Sequence, residues 1–201
     1  MTFADIDNMV VLHSPALARL TEEDFFDLCQ HNPTLRLERN ADHEIVFMPP
    51  AGAESSHTSG EVFFQLKLWN RREQLGYVFE SSAGFTLPDD SVRSPDASWV
   101  AKAAYEALPE QQRLRFPPVC PAFVVEVRSP SDGLAPLRRK MEAYLANGVQ
   151  VGFLLDPTAE TATIYRPSQP PEELQGFDRT LSAEPALPGF ELDLRPLRRL
   201  G

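Results

Sequence analysis

The residue pattern predicts an α/β fold: a mixed β-sheet sandwiched by helices. Ala122-Phe123-Val124-Val125-Glu126-Val127 is a β-branched run, apolar on both faces and bounded by turn residues, the signature of a central strand covered on two sides. Two amphipathic helical stretches lie before and after it. The order of strands, helix, strands, helix, strands fits a mixed sheet better than a regularly alternating one.

Residues 1–20 read as a loosely held arm. Thr21-Glu22-Glu23-Asp24 then opens a short helix, because Thr21 can cap it and Asp24 stands at the capping-box position. Leu35-Arg36-Leu37-Glu38 and Glu44-Ile45-Val46-Phe47-Met48 flank the turn-forming stretch Asn40 to His43, which predicts a hairpin ended by Pro49-Pro50. From Ser55 or Ser56 to Gln74 no proline occurs and Val62, Phe63, Leu66 and Trp69 recur at helical spacing, so the longest helix belongs there. Tyr77–Glu80 and Gly84–Leu87 read as short strands closed by a turn at Pro88-Asp89-Asp90, and Pro95–Val100 as another strand.

Ala101–Leu108 is predicted as a short helix, followed by a proline-rich loop to Pro121. A second amphipathic helix runs from about Leu134 to Asn147 with Leu137, Met141, Tyr144 and Leu145 inward, and Asn147-Gly148 stops it. Val151–Leu155, the turn Asp156-Pro157 and Thr161–Tyr165 make a returning pair of strands. The tail beyond is proline-rich. At 201 residues one core is the natural count, so the expected division is an arm (1–20), one domain (21–195) and a short tail (196–201).

Composition excludes several function classes. The longest apolar run in the first twenty residues is Met9 to Leu12, so neither a signal peptide nor a membrane span is expected, and a cytoplasmic protein follows. Cys29 and Cys120 stand far apart and read as packing residues, not as a disulfide framework or a zinc site. A formal charge of −10 argues against nonspecific coating of nucleic acid, which depends on cations displacing phosphate counterions. Arg71-Arg72, Arg113 with Arg115, and Arg138-Arg139-Lys140 are scattered solvated charges or, if they converge, a basic strip. No phosphate-cradling loop, zinc motif or nucleophile elbow occurs.

Glu126 interrupts the apolar central strand, where an unpaired carboxylate costs on the order of several kcal/mol, so something must compensate it. An ion pair with Arg128, two residues on, is one answer; a bound cation is another. Asp96 follows Pro95 at a strand start and by itself is a turn residue, but with Glu126 on a neighbouring strand it supplies hard oxygen ligands of the kind Mg²⁺ takes. Lys140 lies at the margin of the buried helix face. It is either a snorkelling stem or an ammonium aimed at Glu126 that stabilises developing charge. Glu38 and His57 are second candidates, each with an ordinary role as surface acid or helix-start residue.

At these residues the chain resembles the Uma-two family of restriction endonucleases, within the PD-(D/E)XK nuclease superfamily. The resemblance spans about residues 20–195 and is carried by Leu35-Arg36-Leu37-Glu38, Val46-Phe47-Met48-Pro49-Pro50, His57, Ser94-Pro95-Asp96, Val124 to Ser131, Lys140 with Tyr144, Gly148 and Leu155-Asp156-Pro157. It implies a restriction-endonuclease-like core in which Asp96 and Glu126 ligate Mg²⁺ or Mn²⁺ for phosphodiester hydrolysis of DNA. The superfamily's lysine normally follows the second acid by two residues. That position is Arg128 here, and Lys140 fits a lysine moved to the neighbouring helix. Glu38 is implied as a further acidic member of the site and His57 as a supporting one, and such nucleases commonly pair as homodimers. A catalytically inactive restriction-like fold that binds nucleic acid or protein is the alternative, cued by Arg128 and the net acidity. A third reading is a purely structural or assembly role, for example a homodimer joined through an exposed aromatic, proline-rich tail.

Overall fold

A computed structural model describes residues 10–198; the first nine residues of the expected arm and the last three of the expected tail lie outside them. The first half runs β1 (Val10–Leu12), α1 (Glu22–His31), β2 (Arg36–Arg39), β3 (Ile45–Met48), α2 (Ala53–Glu73), β4 (Gly76–Glu80), β5 (Phe85–Thr86), β6 (Val92–Arg93) and β7 (Ala97–Ala101). Two short helices follow, α3 (Lys102–Glu106) and α4 (Glu110–Arg113), then β8 (Phe123–Val127), α5 (Leu134–Ala146), β9 (Val151–Asp156) and β10 (Thr161–Tyr165). The chain closes with β11 (Glu172–Gln175), β12 (Thr180–Ser182) and β13 (Glu191–Asp193).

The predicted mixed sheet is six-stranded, ordered β11-β10-β9-β8-β7-β4. Only β8 and β9 pair in parallel, because α5 carries the chain back across the sheet between them; its other pairs are antiparallel. Alternation along β8 sends Phe123, Val125 and Val127 to one face, against Val62, Leu66 and Trp69 of α2, and Val124 to the other, against Met141 and Tyr144 of α5. All five residues of β8 are buried, as its doubly apolar sequence predicts. Gly152 in β9 allows α5 to sit this close: a Cβ there would stand 2.5 Å from the Met141 Cε. Asn147 ends α5 and Gly148, at φ +110°, turns the chain into β9.

The hairpin and the first helix also follow their local chemistry. Thr21 and Asp24 form the reciprocal capping box at the start of α1, and β2 pairs with β3 across the Asn40–His43 turn. The long helix starts at Ala53, slightly ahead of the expected Ser55, and Gln74 ends it in the left-handed conformation.

Other parts differ from the sequence expectation. The hairpin belongs to a separate antiparallel sheet, ordered β1-β3-β2-β6-β5, with its own core of Phe25, Leu37, Ile45 and Val92. Val10–Leu12, within the expected arm, is its edge strand on β3. The Pro88–Asp90 turn closes β5 onto β6, not onto β4, which pairs with β7. Glu110–Arg113, expected as loop, forms one helical turn. The tail is not an exposed association surface: Phe177 and Phe190 are buried, and with Leu181, Leu187, Leu192 and Leu197 they complete the core on the α2 side. The reason is area, since α2 alone leaves much of that sheet face uncovered and burial of apolar surface draws the tail onto it. Among the described residues no helix is long and apolar enough to cross a membrane.

Candidate active site

Two strand registers and one helix turn assemble the cluster. In the six-stranded sheet Ala97 stands opposite Val125 and Ser98 opposite Val124, so one more step of that antiparallel register places Asp96 opposite Glu126, on the α5 face. In the five-stranded sheet Arg39 stands opposite Val92, and one step on sets Glu38 against Arg93. Ser94 and Pro95 carry the chain from one sheet to the other. The backbone N–H of Ser94 donates to Glu38 Oε1 at 2.9 Å, and Arg93 Nη1 donates to Glu38 Oε2 at 3.1 Å, which anchors the start of the linker to the five-stranded sheet at Glu38.

Lys140, on the second turn of α5, spans both acids. Its Nζ lies 2.9 Å from Glu38 Oε1 and 2.8 Å from Glu126 Oε1, and its side chain is 10 % exposed. One turn on, the Tyr144 hydroxyl donates to the same Glu126 oxygen at 2.9 Å. Asp96 Oδ2 accepts from the Val127 N–H at 2.8 Å, a side chain standing in for a ladder carbonyl at the sheet end.

Arg128 does not pair with Glu126, as one sequence reading allowed. It turns to Asp156, 2.7 Å from Nη1, and donates from Nε to the Asp132 carbonyl, holding the loop that leads into α5. His57 lies on the exposed side of α2 and is not among the residues lining the cavity above the acids. Two members of the cluster were not singled out as site residues: Arg93, because no strand was expected at 92–93, and Tyr144, assigned to the core. Tyr144 left one trace in the sequence, since a buried tyrosine hydroxyl needs a partner and Lys140 is one turn before it.

The electrostatics divide the acids into two kinds. Burial raises the Glu38 carboxyl, but the charges of Lys140 and Arg93 and the donors from Lys140 and Ser94 outweigh it and hold it below the ordinary range. Burial pushes Glu126 up to about 7; Lys140 opposes the shift, and the charges of Asp96 and Glu38 add to it. Asp96 is raised by burial in spite of its Val127 donor. Burial disfavours the Lys140 ammonium, yet Glu126 and Glu38 keep it protonated well above its ordinary value. Three acids thus share Lys140 and Arg93, with Arg36 adding a weaker pull on Asp96, and the deficit falls on Asp96 and Glu126.

Oxygen by oxygen the same division holds. Both Glu38 oxygens accept hydrogen bonds. Glu126 receives Lys140 and Tyr144 on Oε1, and Asp96 receives Val127 on Oδ2, so among the described residues one oxygen of each is left without a donor. Two adjacent carboxylates with free lone pairs, excess negative charge and access to a cavity fit a hard divalent cation of the Mg²⁺ type, which takes one or two carboxylates and completes its shell with water and substrate. No group of three or more His, Cys, Asp or Glu side chains among the described residues is arranged to hold a metal without such outside ligands. Above the acids is a cavity of about 730 Å³ between the two sheets and the start of α5, lined in part by Arg36, Arg139, Ser129 and Ser131.

A family model described as "Uma2: Putative restriction endonuclease" matches residues 22–195. A solved structure, a putative nuclease belonging to DUF820 from Anabaena variabilis ATCC 29413, superposes with a TM-score of 0.73 at 20 % identity, covering 89 % of this chain and 97 % of that one. At that identity the likeness concerns the fold. No curated protein matches the chain in sequence.

Proposed function

The chain belongs to the Uma2 family of restriction-endonuclease-like proteins, and from that premise we propose that it hydrolyses phosphodiester bonds of DNA with Mg²⁺ or Mn²⁺ held by Asp96 and Glu126. The observation that carries this reading is the pair of donor-free carboxylate oxygens on adjacent strands, with the Lys140 ammonium 2.8 Å from the other oxygen of Glu126. A bound divalent ion would polarise the phosphate and make water a competent nucleophile near neutral pH.

The chain's own residues divide the remaining work. Asp96 and Glu126 offer the ion their free oxygens, and each is held by a fixed donor, so little reorganisation is needed when substrate arrives. Lys140 keeps its proton and places a positive charge at the cavity floor, where negative charge grows on the phosphoryl oxygens. Glu38 has no oxygen to spare; it positions Lys140, as Tyr144 positions Glu126. Arg128, committed to Asp156, is not available for the lysine's role.

Purified protein with Mn²⁺ or Mg²⁺, given both supercoiled plasmid and circular single-stranded DNA, should cut at least one of them. Asp96→Ala, Glu126→Ala and Lys140→Ala should each abolish the cutting, and persistence of activity in all three would reject the assignment.

A further inference from the structure

We infer that the cavity accepts an unpaired DNA strand, as a free end or frayed segment, and excludes intact duplex. The inference rests on the nuclease reading, since that fixes where the scissile phosphate lies. Depth is the first observation: the Glu126 and Lys140 side chains are 5 % and 10 % exposed, at the floor of a recess of about 730 Å³. That volume falls in the range of about 300–1,000 Å³ that encloses one small ligand. A phosphate within a continuous helix would have to reach this floor while both strands and their stacked bases remained outside.

Charge is the second observation. Duplex carries one negative charge per roughly 1.7 Å of axis, and proteins that track it neutralise about 6–10 phosphates. The cavity has no such track. Lys140 and Arg93 are committed to Glu38 and Glu126. Arg115 pairs with Glu23 and Arg138 with Glu173, outside the cavity, and Arg71, Arg72 and Arg113 do not line it. Arg36 and Arg139 remain as lining cations with no ion pair to a carboxylate among the described residues; Arg36 donates to the Ser81 carbonyl, and its charge also acts on Asp96. Beyond them the chain's net charge of −10 repels a polyanion. Two lining arginines with no ion pair of their own are enough for the phosphates on either side of a scissile one and too few for a duplex track. The rest of the wall suits an unpaired nucleotide, with the mutually bonded hydroxyls of Ser129 and Ser131 and the half-buried Phe116 ring, which packs on Phe25 and Phe26 and lines the cavity with the surface that is left. One site is then enough, and two copies are not needed to cut two strands.

Fluorescence anisotropy with wild-type protein and Ca²⁺, using a labelled five-nucleotide DNA and a 20-base-pair blunt duplex as probes, tests the inference. The short strand should bind at least about tenfold tighter, the scale of one base stacked on an aromatic side chain. Its log affinity should fall with log salt at a slope of about −1.4, set by two contacts on single strands, and at about −0.7 in Arg139→Gln. Duplex binding as tight as the strand, or a strand slope steeper than about −3, would overturn the inference and leave the nuclease reading standing. The same probes with Mn²⁺ separate the two claims: a strand bound as predicted but never cut ends the nuclease reading and not the strand site, and no binding of either probe ends the inference.

Discussion

Replacing Lys140 with Met keeps most of the side-chain volume and deletes the charge that Glu38 and Glu126 share. Both acids are nearly inaccessible, at 3 % and 5 % side-chain exposure, and the methionine side chain fills the space the lysine occupied, which leaves little room for water in the ammonium's place. Removing one partner of a buried pair typically costs about 3–5 kcal/mol. Glu38 keeps Arg93 and Ser94, and Glu126 keeps Tyr144, so the low end, about 3 kcal/mol at pH 8, applies. For a chain of this size that corresponds to roughly 6–12 °C in melting temperature.

The loss should depend on pH, and its sign follows from linkage. The Glu126 carboxyl is already raised from 4.5 to about 7 in the folded protein, and losing Lys140 raises it further. A folded value above the unfolded one means that the native state binds the proton more tightly. Its destabilising effect is therefore absent below the unfolded value and grows as pH rises through the folded one. Thermal melts of wild type and Lys140→Met, free of divalent metal, should differ least near pH 5 and most near pH 8. A difference that is the same at both pH values, or larger at pH 5, would refute the claim that the lysine compensates buried carboxylates.

Three further outcomes follow from the same geometry. Mn²⁺ should raise the melting temperature of wild type at pH 8, by about 2.7 kcal/mol of added stability at a hundred times its dissociation constant, and should not move Asp96→Asn or Glu126→Gln; equal shifts in all three would place the ion elsewhere. Tyr144→Phe deletes one charge-assisted donor to Glu126 and should cost about 1.5–3 kcal/mol in a urea titration at pH 8, with a smaller cost near pH 5. Gly76→Ala would set a Cβ 2.3 Å from the Val100 carbonyl and 2.4 Å from the Trp99 ring, so β4 must shift away from β7; a loss of about 1–3 kcal/mol is expected, with metal binding unchanged because the acids lie at the other end of β7.

Local patterns alone were enough to locate most of the elements. The doubly apolar run around Glu126, the helical periodicities of α2 and α5, the Thr21 capping box and the hairpin turn at Asn40–His43 each involve residues a few positions apart, where steric and hydrogen-bonding preferences act without help from the rest of the chain. The charge conflict at Glu126 was visible for the same reason, as a single ionisable group in an apolar strand. The partner that compensates it was not, because Arg128 and Lys140 were both available and direction decides between them.

Direction is a tertiary property here. Glu38 and Lys140 are 102 residues apart, and their meeting depends on the five-stranded sheet docking beside α5. Only the pairing of β6 with β2, too short to announce itself in the sequence, turns Arg93 onto Glu38. The tail's proline-rich pattern hid strands and aromatic side chains whose place is set by the sheet face left open beside α2. Sequence by itself was enough to place the longer strands and helices and to show which carboxylate lacked a local partner. Packing decided which oxygens were left free, because two strand registers and one helix rotation must be satisfied together before any of those side chains can meet.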